Sequence, residues 1–331
     1  MGDTQIPFPS EPFRPRFGLR GGHRQTLASF FLQRRITLPA GEERLIEGDG
    51  KVCLRCICHW QDQRKERLTL LIVHGLEGSS DSGYVLGITQ KAMVAGMNVV
   101  RMNQRNCGGT DGLSDSLYHS GLSRDIRTVA ESLIASEGLT RLALAGYSMG
   151  GNLVLKLAGE WSTEVPTQVK AVAAVCPSID LAPSADALHL RPNWLYEKYF
   201  LVKLSRRLRD KAKLFPGKFD LGRLENLASL RDFDDRITAY YCGFEGATDY
   251  YHRAAAARVI DRIAVPTLVL HALDDPFIRI LPDTRALIVS NPHITFVETQ
   301  HGGHCAYLAS PDGYDGRWAE KQVVEFVKRV A

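Results

Sequence analysis

Long hydrophobic runs are missing from this 331-residue sequence: nothing in it approaches the roughly 18 apolar residues that span a bilayer. The first twenty residues, MGDTQIPFPSEPFRPRFGLR, carry Asp3, Glu11 and four prolines but no apolar run of seven, which excludes a secretory leader there. The expectation is a soluble, cytoplasmic protein with no integral membrane segment. A surplus of one charge is missing too. With 41 Lys+Arg against 37 Asp+Glu the net charge is +4, short of the basic excess that nucleic-acid binding needs. No internal repeat, low-complexity tract or Gly/Ser linker occurs. Seven cysteines, an odd number scattered from Cys53 to Cys305, argue for free thiols and against a disulfide framework. Cys53, Cys56, Cys58 and His59 resemble half a metal site, but KVCLRCICHW alternates like a strand, so Cys53 and Cys56 point to opposite faces, and no second Cys/His pair completes a tetrahedral set. No His-Glu-x-x-His is present, which removes the zinc-protease class, and no G-x-G-x-x-G follows the first strand, so no nucleotide is implied. Neither a metal nor a cofactor is expected.

What is present is an α/β rhythm with one interruption. Runs bounded by glycine and polar residues read as buried parallel strands: LTLLIVHG from Leu68, MNVVRMN from Met97, LALAGY from Leu142, VKAVAAVC from Val169 and PTLVLHA from Pro266. Helical stretches lie between them, at Tyr84 to Ala95, Leu122 to Ser136 and Asn152 to Trp161, and an amphipathic helix beginning near Trp318 closes the chain. The alternation predicts a doubly wound, mostly parallel β-sheet with right-handed crossovers. From about Leu181 to Ile263 the strand rhythm stops and an aromatic, charged, helical segment takes over. The expected organisation is an N-terminal arm over 1–50, a core over 51–180 and 264–331, and a helical cap inserted late in the sheet over 181–263. Aromatics, including Trp194, Tyr196, Tyr199, Phe200, Tyr250 and Tyr251, are frequent in that cap, some to wall a cleft and most to pack it onto the core.

Gly146-Tyr147-Ser148-Met149-Gly150 fits G-x-S-x-G in the context such a motif requires, with the strand RLALAGY running in and the helix GNLVLKLAGEW running out. The glycines leave room for a tight turn that lifts the Ser148 hydroxyl clear of the backbone at a helix N-terminus. A serine hydroxyl is a weak nucleophile until a base takes its proton. In the order Ser, Asp, His, the carboxylate pair Asp274-Asp275 follows the strand PTLVLHA, and His301-Gly302-Gly303-His304 follows the short strand ITFVET. Asp275 is expected to orient the base, with Asp274 as runner-up that holds the loop. His304 is expected to be general base and acid, and His301 to begin the glycine turn that delivers it. Two backbone donors for an oxyanion are expected at Met149, after the nucleophile, and at Leu76 in His74-Gly75-Leu76-Glu77-Gly78.

These motifs, with Gly21-Gly22-His23-Arg24-Gln25-Thr26, NQRNCGG at 103–109, DYYHRA at 249–254 and LDDPF at 273–277, resemble the α/β-hydrolase superfamily and, more narrowly, its YheT-like branch. The resemblance covers nearly the whole chain. It implies the α/β-hydrolase fold and a serine esterase or lipase acting on carboxylic esters, with Ser148, Asp275 and His304 at the family's catalytic positions; the aromatic cap, for its part, suggests a small-molecule ester with an apolar acyl chain. Asn106 replaces a glycine usual in the arginine loop, and Cys305 stands where a small residue or valine is more familiar. His23 is read as a hydrogen bond anchoring the arm, and Arg105 with Asp111 as a loop-stabilising pair. A dehalogenase would carry Asp, and a dienelactone hydrolase Cys, where Ser148 stands. None of the ten histidines has Asp five positions later, so an acyltransferase of the His-x4-Asp kind is unsupported. The rival from another class is a ligand-binding or regulatory protein on the same scaffold. Lys198, Lys203, Arg206, Arg207, Arg209, Lys211, Lys213 and Lys218 form a basic cap stretch that is either a solvated face or a peripheral contact to anionic lipid.

Overall fold

The computed structural model describes residues 8, 9, 11–32, 34–50 and 52–331. Residues 1–7, 10 and 33 of the expected arm, and residue 51 at the head of the expected core, lie outside the described residues. Eight strands make one sheet in the order β1-β2-β4-β3-β5-β6-β7-β8. They are β1 (Glu42–Glu47), β2 (Cys53–His59), β3 (Thr69–Val73), β4 (Asn98–Met102), β5 (Leu142–Tyr147), β6 (Val169–Val175), β7 (Thr267–Ala272) and β8 (Ile294–Thr299). The pairs β1/β2 and β2/β4 are antiparallel and the remaining five are parallel. This is the mixed, mostly parallel sheet of an α/β hydrolase.

Alternate residues of the central strands feed two cores. Leu71, Val73, Leu142 and Leu144 face helices α3 (Ser123–Glu137) and α4 (Met149–Trp161), while Leu70, Ile72, Ala143 and Ala145 face helices α2 (Gly83–Val94) and α11 (Trp318–Val330). Continuous apolar runs such as TLLIV are what a strand covered on both sides requires. The sequence reading missed β1. Its residues EERLIE are mostly charged and only Ile46 is buried, because an edge strand shows most of its surface to solvent. The strand lies inside the expected N-terminal arm, so that arm contributes to the sheet. Before it, helix α1 (Gly22–Phe31) packs beside the loop that follows β8.

Register brings the loops to one edge. Val73 lies opposite Gly146, Tyr147 opposite Val175, Val175 opposite Leu270, and Ala272 opposite Thr299, so the chain leaves β3, β5, β6, β7 and β8 on the same side of the sheet. Between β6 and β7 the chain forms α5 (Leu181–Leu188), α6 (Trp194–Leu214), α7 (Leu230–Phe233), α8 (Tyr240–Cys242) and α9 (Ala247–Ala254), with no strand among them. A third apolar cluster joins this segment to the loop edge: Leu204, Leu208, Phe233 and Ile237 pack with Met149 and Phe277. Helix α10 (Pro282–Ser290) precedes β8. All seven cysteines are free thiols. Among the described residues no helix is long and apolar enough to cross a membrane.

Candidate active site

Strand β5 ends at Tyr147, and helix α4 begins at Met149, three residues before the sequence predicts. Ser148 alone makes the turn, at φ 53° and ψ −118°, a left-handed conformation that a side chain adopts only under strain. The turn is possible because its neighbours are bare. A Cβ on Gly146 would overlap the Gly150 carbonyl, and one on Gly150 would overlap the carbonyls of Val73 and His74. Ser148 N–H donates to Val175 O (2.9 Å) and its carbonyl receives the N–H of Asn152 (3.0 Å), which clamps both sides of the turn.

The Ser148 hydroxyl points at a histidine. Its Oγ is 2.9 Å from His304 Nε2, and His304 Nδ1 is 2.9 Å from Asp275 Oδ2. The other Asp275 oxygen accepts the backbone N–H groups of Phe277 (3.1 Å) and Ile278 (3.0 Å). Asp275 is buried, and burial alone would raise its pKa, yet the His304 charge and hydrogen bond, with those two N–H groups, hold it below the usual carboxylate value. Asp274 does different work. Its oxygens take Gly303 N–H (2.9 Å) and His301 Nδ1 (3.1 Å), so it holds the glycine turn and does not touch His304 Nδ1. The Phe277 ring lies 4.3 Å from the His304 ring, centroid to centroid, walling the imidazole from one side.

The loop after β3 is tied on both flanks of Leu76. Gly75 N–H donates to Tyr84 Oη (2.9 Å) and Glu77 N–H to Tyr118 Oη (3.1 Å), leaving the intervening Leu76 N–H between two fixed peptides. Met149 N–H is the first of α4 and has no carbonyl one helical turn back to bond. Leu76, Ser148 and Met149 all line one cavity of about 120 Å³, whose other walls are mostly apolar side chains of α5, α6 and α7 with Phe277 and Ile278. Of the twelve aromatics in the inserted segment, Phe200, Phe233, Tyr250 and Tyr251 line this cavity, while Trp194 and Tyr240 are exposed.

Glu77, one residue beyond Leu76, sits at φ 56° and is held from the inserted segment. Arg207 of α6 donates from Nε to Oε1 (2.8 Å) and from Nη2 to Oε2 (3.0 Å), and Tyr118 Oη donates to Oε1 (2.6 Å). Burial raises the Glu77 pKa, but the bonds and charge of Arg207 outweigh it and leave the carboxyl below its ordinary value. Two expectations are corrected by these contacts and a third is refined. Arg105 is paired with Asp125, not with Asp111, which belongs to Arg207 (3.1 Å). Arg207 and Lys211 of the basic stretch point inward: Lys211 is fully buried, its Nζ bonded to Asn106 Oδ1 (3.0 Å) and the carbonyls of Asp111 (3.0 Å) and Ser114. His23 does tie the arm, through its Nδ1 at 3.1 Å from the Tyr196 hydroxyl of α6 and a stack on that ring, but from an exposed position and not from the buried one expected.

Gln25 and Thr26 anchor the N-terminal arm beside the loop that carries His304. Gln25 is buried, donating to Leu19 O and Leu308 O and accepting Leu308 N–H at 2.7 Å. Thr26 Oγ1 accepts the backbone N–H of His304 itself (2.9 Å) and donates to Gly22 O (2.7 Å). Both stand in the GGHRQT motif, but nothing in its spacing tells which of its polar side chains turn inward. Asn106, the departure from glycine, sits at φ 65°, a conformation asparagine tolerates, and its side chain gives Lys211 an acceptor and donates to Ser116 O (2.8 Å). Among the described residues no group of three His, Cys, Asp or Glu is placed to hold a metal ion.

A strained serine at a strand-to-helix turn, set beside a histidine and an apolar cavity at the carboxyl edge of a mostly parallel sheet, defines an esterase- or lipase-like α/β hydrolase. The chain belongs to the α/β-hydrolase fold family, whose model matches residues 69–311. It is 30% identical over 324 residues to YheT of Escherichia coli (strain K12), a protein named for an esterase, covering 96% of this chain and 93% of that one. It is 25% identical over 311 residues to the Homo sapiens phospholipase ABHD3, covering 91% of this chain and 75% of that one. The solved structure of the Pyrococcus furiosus esterase Pf2001 superposes with a TM-score of 0.56 at 15% identity, over 90% of this chain and 97% of that one, a likeness of fold.

Proposed function

We propose that this protein is a serine hydrolase of carboxylic esters with an apolar acyl group, Ser148 being the nucleophile. The observation that carries the reading is the chain of two 2.9 Å contacts from Ser148 Oγ through His304 to buried Asp275, opening on an apolar cavity. Ser148 Oγ attacks the ester carbonyl carbon while His304 Nε2 takes its proton. The carbonyl oxygen becomes an oxyanion between the N–H groups of Leu76 and Met149, donors that cost no reorganisation because both peptides are already fixed. Asp275 keeps the imidazole in the tautomer with hydrogen on Nδ1 and stabilises the imidazolium. The carbon–oxygen bond to the alcohol breaks as His304 returns the proton to the leaving alkoxide. Water, deprotonated by the same nitrogen, then attacks the acyl-enzyme and releases the acid.

In this reading residues 181–263 are the cap and 1–50 the arm of a hydrolase core. The apolar lining from α5, α6 and α7 receives the acyl chain, and the Arg207–Glu77 pair keeps the oxyanion loop in place from the cap side. Names of relatives extend from esterase to phospholipase and monoacylglycerol lipase, consistent with an ester of a lipid acid as the substrate class. The test is intact mass after incubation with a fluorophosphonate, for wild type and Ser148→Ala, followed by a p-nitrophenyl ester series of rising acyl length. Labelling of wild type alone, with turnover lost on the order of 10⁴-fold or more in Ser148→Ala, is the expected result. A folded wild type that takes no label and turns over no ester overturns the proposal in favour of a ligand-binding role.

A further inference from the structure

Helix α6 separates two environments. At about 100° per residue its inner face carries Phe200, Leu204 and Leu208 toward the cavity, while Trp194, Lys198, Arg209, Val202, Leu195, Arg206 and Tyr199 fall, in angular order, within about 140° on the other side. The apolar members of that outer face are exposed, from 39% for Tyr199 to 59% for Val202, and next to them the end of α1 presents Phe30 and Phe31, the latter 73% exposed. Such an area of large side chains facing water marks an interaction surface.

Its charge says what kind. Lys198 and Lys203 lie over the Trp194 and Tyr199 rings, at 4.9 and 4.8 Å from the ring centroids, and Arg206 and Arg209 continue the same face. Of the acidic residues on α6, Glu197 is buried against Leu230 N–H and His189, while Asp210, at the edge of this face, is shared between Lys213 (2.9 Å) and Arg206 (3.8 Å) and leaves Lys198, Lys203 and Arg209 uncompensated on the helix. Aromatic rings beside lysines on one face of a helix suit the boundary between lipid headgroups and acyl chains, where the rings enter and the cations meet phosphate. A protein partner's apolar patch would not need the cations.

The surface is also continuous with the catalytic centre. Ring contacts run Phe30 to Tyr199 (6.0 Å), Tyr199 to Phe200 (5.5 Å), Phe200 to Phe277 (6.4 Å) and Phe277 to His304 (4.3 Å). We infer that the outer face of α6 and the aromatic end of α1 dock on an anionic lipid bilayer, so that the protein takes its ester from the membrane. The docking stands on the surface alone; the identity of the molecule withdrawn rests on the ester-hydrolase reading.

Flotation of the full chain with vesicles of phosphatidylcholine alone, and of equal parts phosphatidylcholine and phosphatidylglycerol, tests the docking. Stronger partition to the anionic vesicles, weakened by salt, is expected. Each cation removed lowers partition about fivefold at low salt, so Lys198→Gln with Arg206→Gln and Arg209→Gln falls on the order of 100-fold. Trp194→Ser with Val202→Ser loses binding as well, and a blue shift of wild-type tryptophan emission on vesicles disappears in Trp194→Phe. All these variants hydrolyse a water-soluble p-nitrophenyl ester like wild type but fail on a diacylglycerol carried in the anionic vesicles. Equal partition to both vesicles, or partition untouched by either set of substitutions, overturns the inference. So does light scattering that shows a dimer dissolved by Trp194→Ser with Val202→Ser, which would make the face a contact between copies. Wild-type vesicle binding without any ester turnover would leave the docking in place and remove the hydrolase reading.

Discussion

Two adjacent aspartates with opposite duties make the sharpest residue-scale test. Asp275→Asn removes the acceptor for His304 Nδ1–H and favours the wrong tautomer, and kcat for a soluble ester should fall about 10⁴-fold. Asp274→Asn keeps an oxygen for Gly303 N–H and should cost far less; steady-state kinetics giving the reverse order would move the role to Asp274. Asp234 supplies a pH test of stability. Burial raises its pKa from 3.8 to about 6, against the bonds from Tyr251 Oη (2.7 Å) and Thr238 Oγ1 (2.8 Å). The folded chain therefore holds this proton more tightly than the unfolded one, and the resulting stability is full below pH 3.8 and is lost as pH rises through about 6. Denaturant midpoints across that range should decline more for wild type than for Asp234→Asn; parallel profiles would contradict it. Residue identities at the elbow were legible because a strand, a small-residue turn and a helix follow one another in the sequence. The pairing of Arg105 was not, since Asp125 lies twenty positions away on α3 with no pattern linking the two.

At the scale of elements, helix α1 is a strut for the histidine loop. Thr26→Val keeps the shape but removes the acceptor for His304 N–H, and on the proposed mechanism kcat should fall roughly tenfold with KM nearly unchanged, since the bond only positions His304. Thr26→Ser should restore it; equal kcat in all three proteins would show that the loop needs no such support. The strands β3 through β7 could be read because burial on both faces demands continuous apolar runs, which few other elements show. Strand β1 escaped because one buried residue, Ile46, gives no period to detect. The outer and inner faces of α6 were equally hidden. Its cations form one run in the sequence, and only the helical turn sends Arg207 and Lys211 inward and leaves Lys198, Arg206 and Arg209 outside.

Taken whole, the molecule is joined across its cleft by buried charges. Arg207→Met would strand Glu77, whose side chain is 4% exposed, without its cation, and should cost about 3–5 kcal/mol in denaturant unfolding. Glu77→Gln combined with Arg207→Met should cost less than the sum of the two single changes, because neither charge is then left alone. Strict additivity would mean that the contact carries no coupling. The arm, too, reaches the opposite end of the chain, since Thr26 and His304 are 278 positions apart. On a ribosome adding about 5–20 residues per second, helix α1 waits roughly 14–56 s for the loop it will hold. A nascent chain can thus carry the serine elbow, most of the sheet around it and the whole inserted segment and still lack His304. Under the mechanism proposed above, no ester can be turned over until synthesis has passed residue 304.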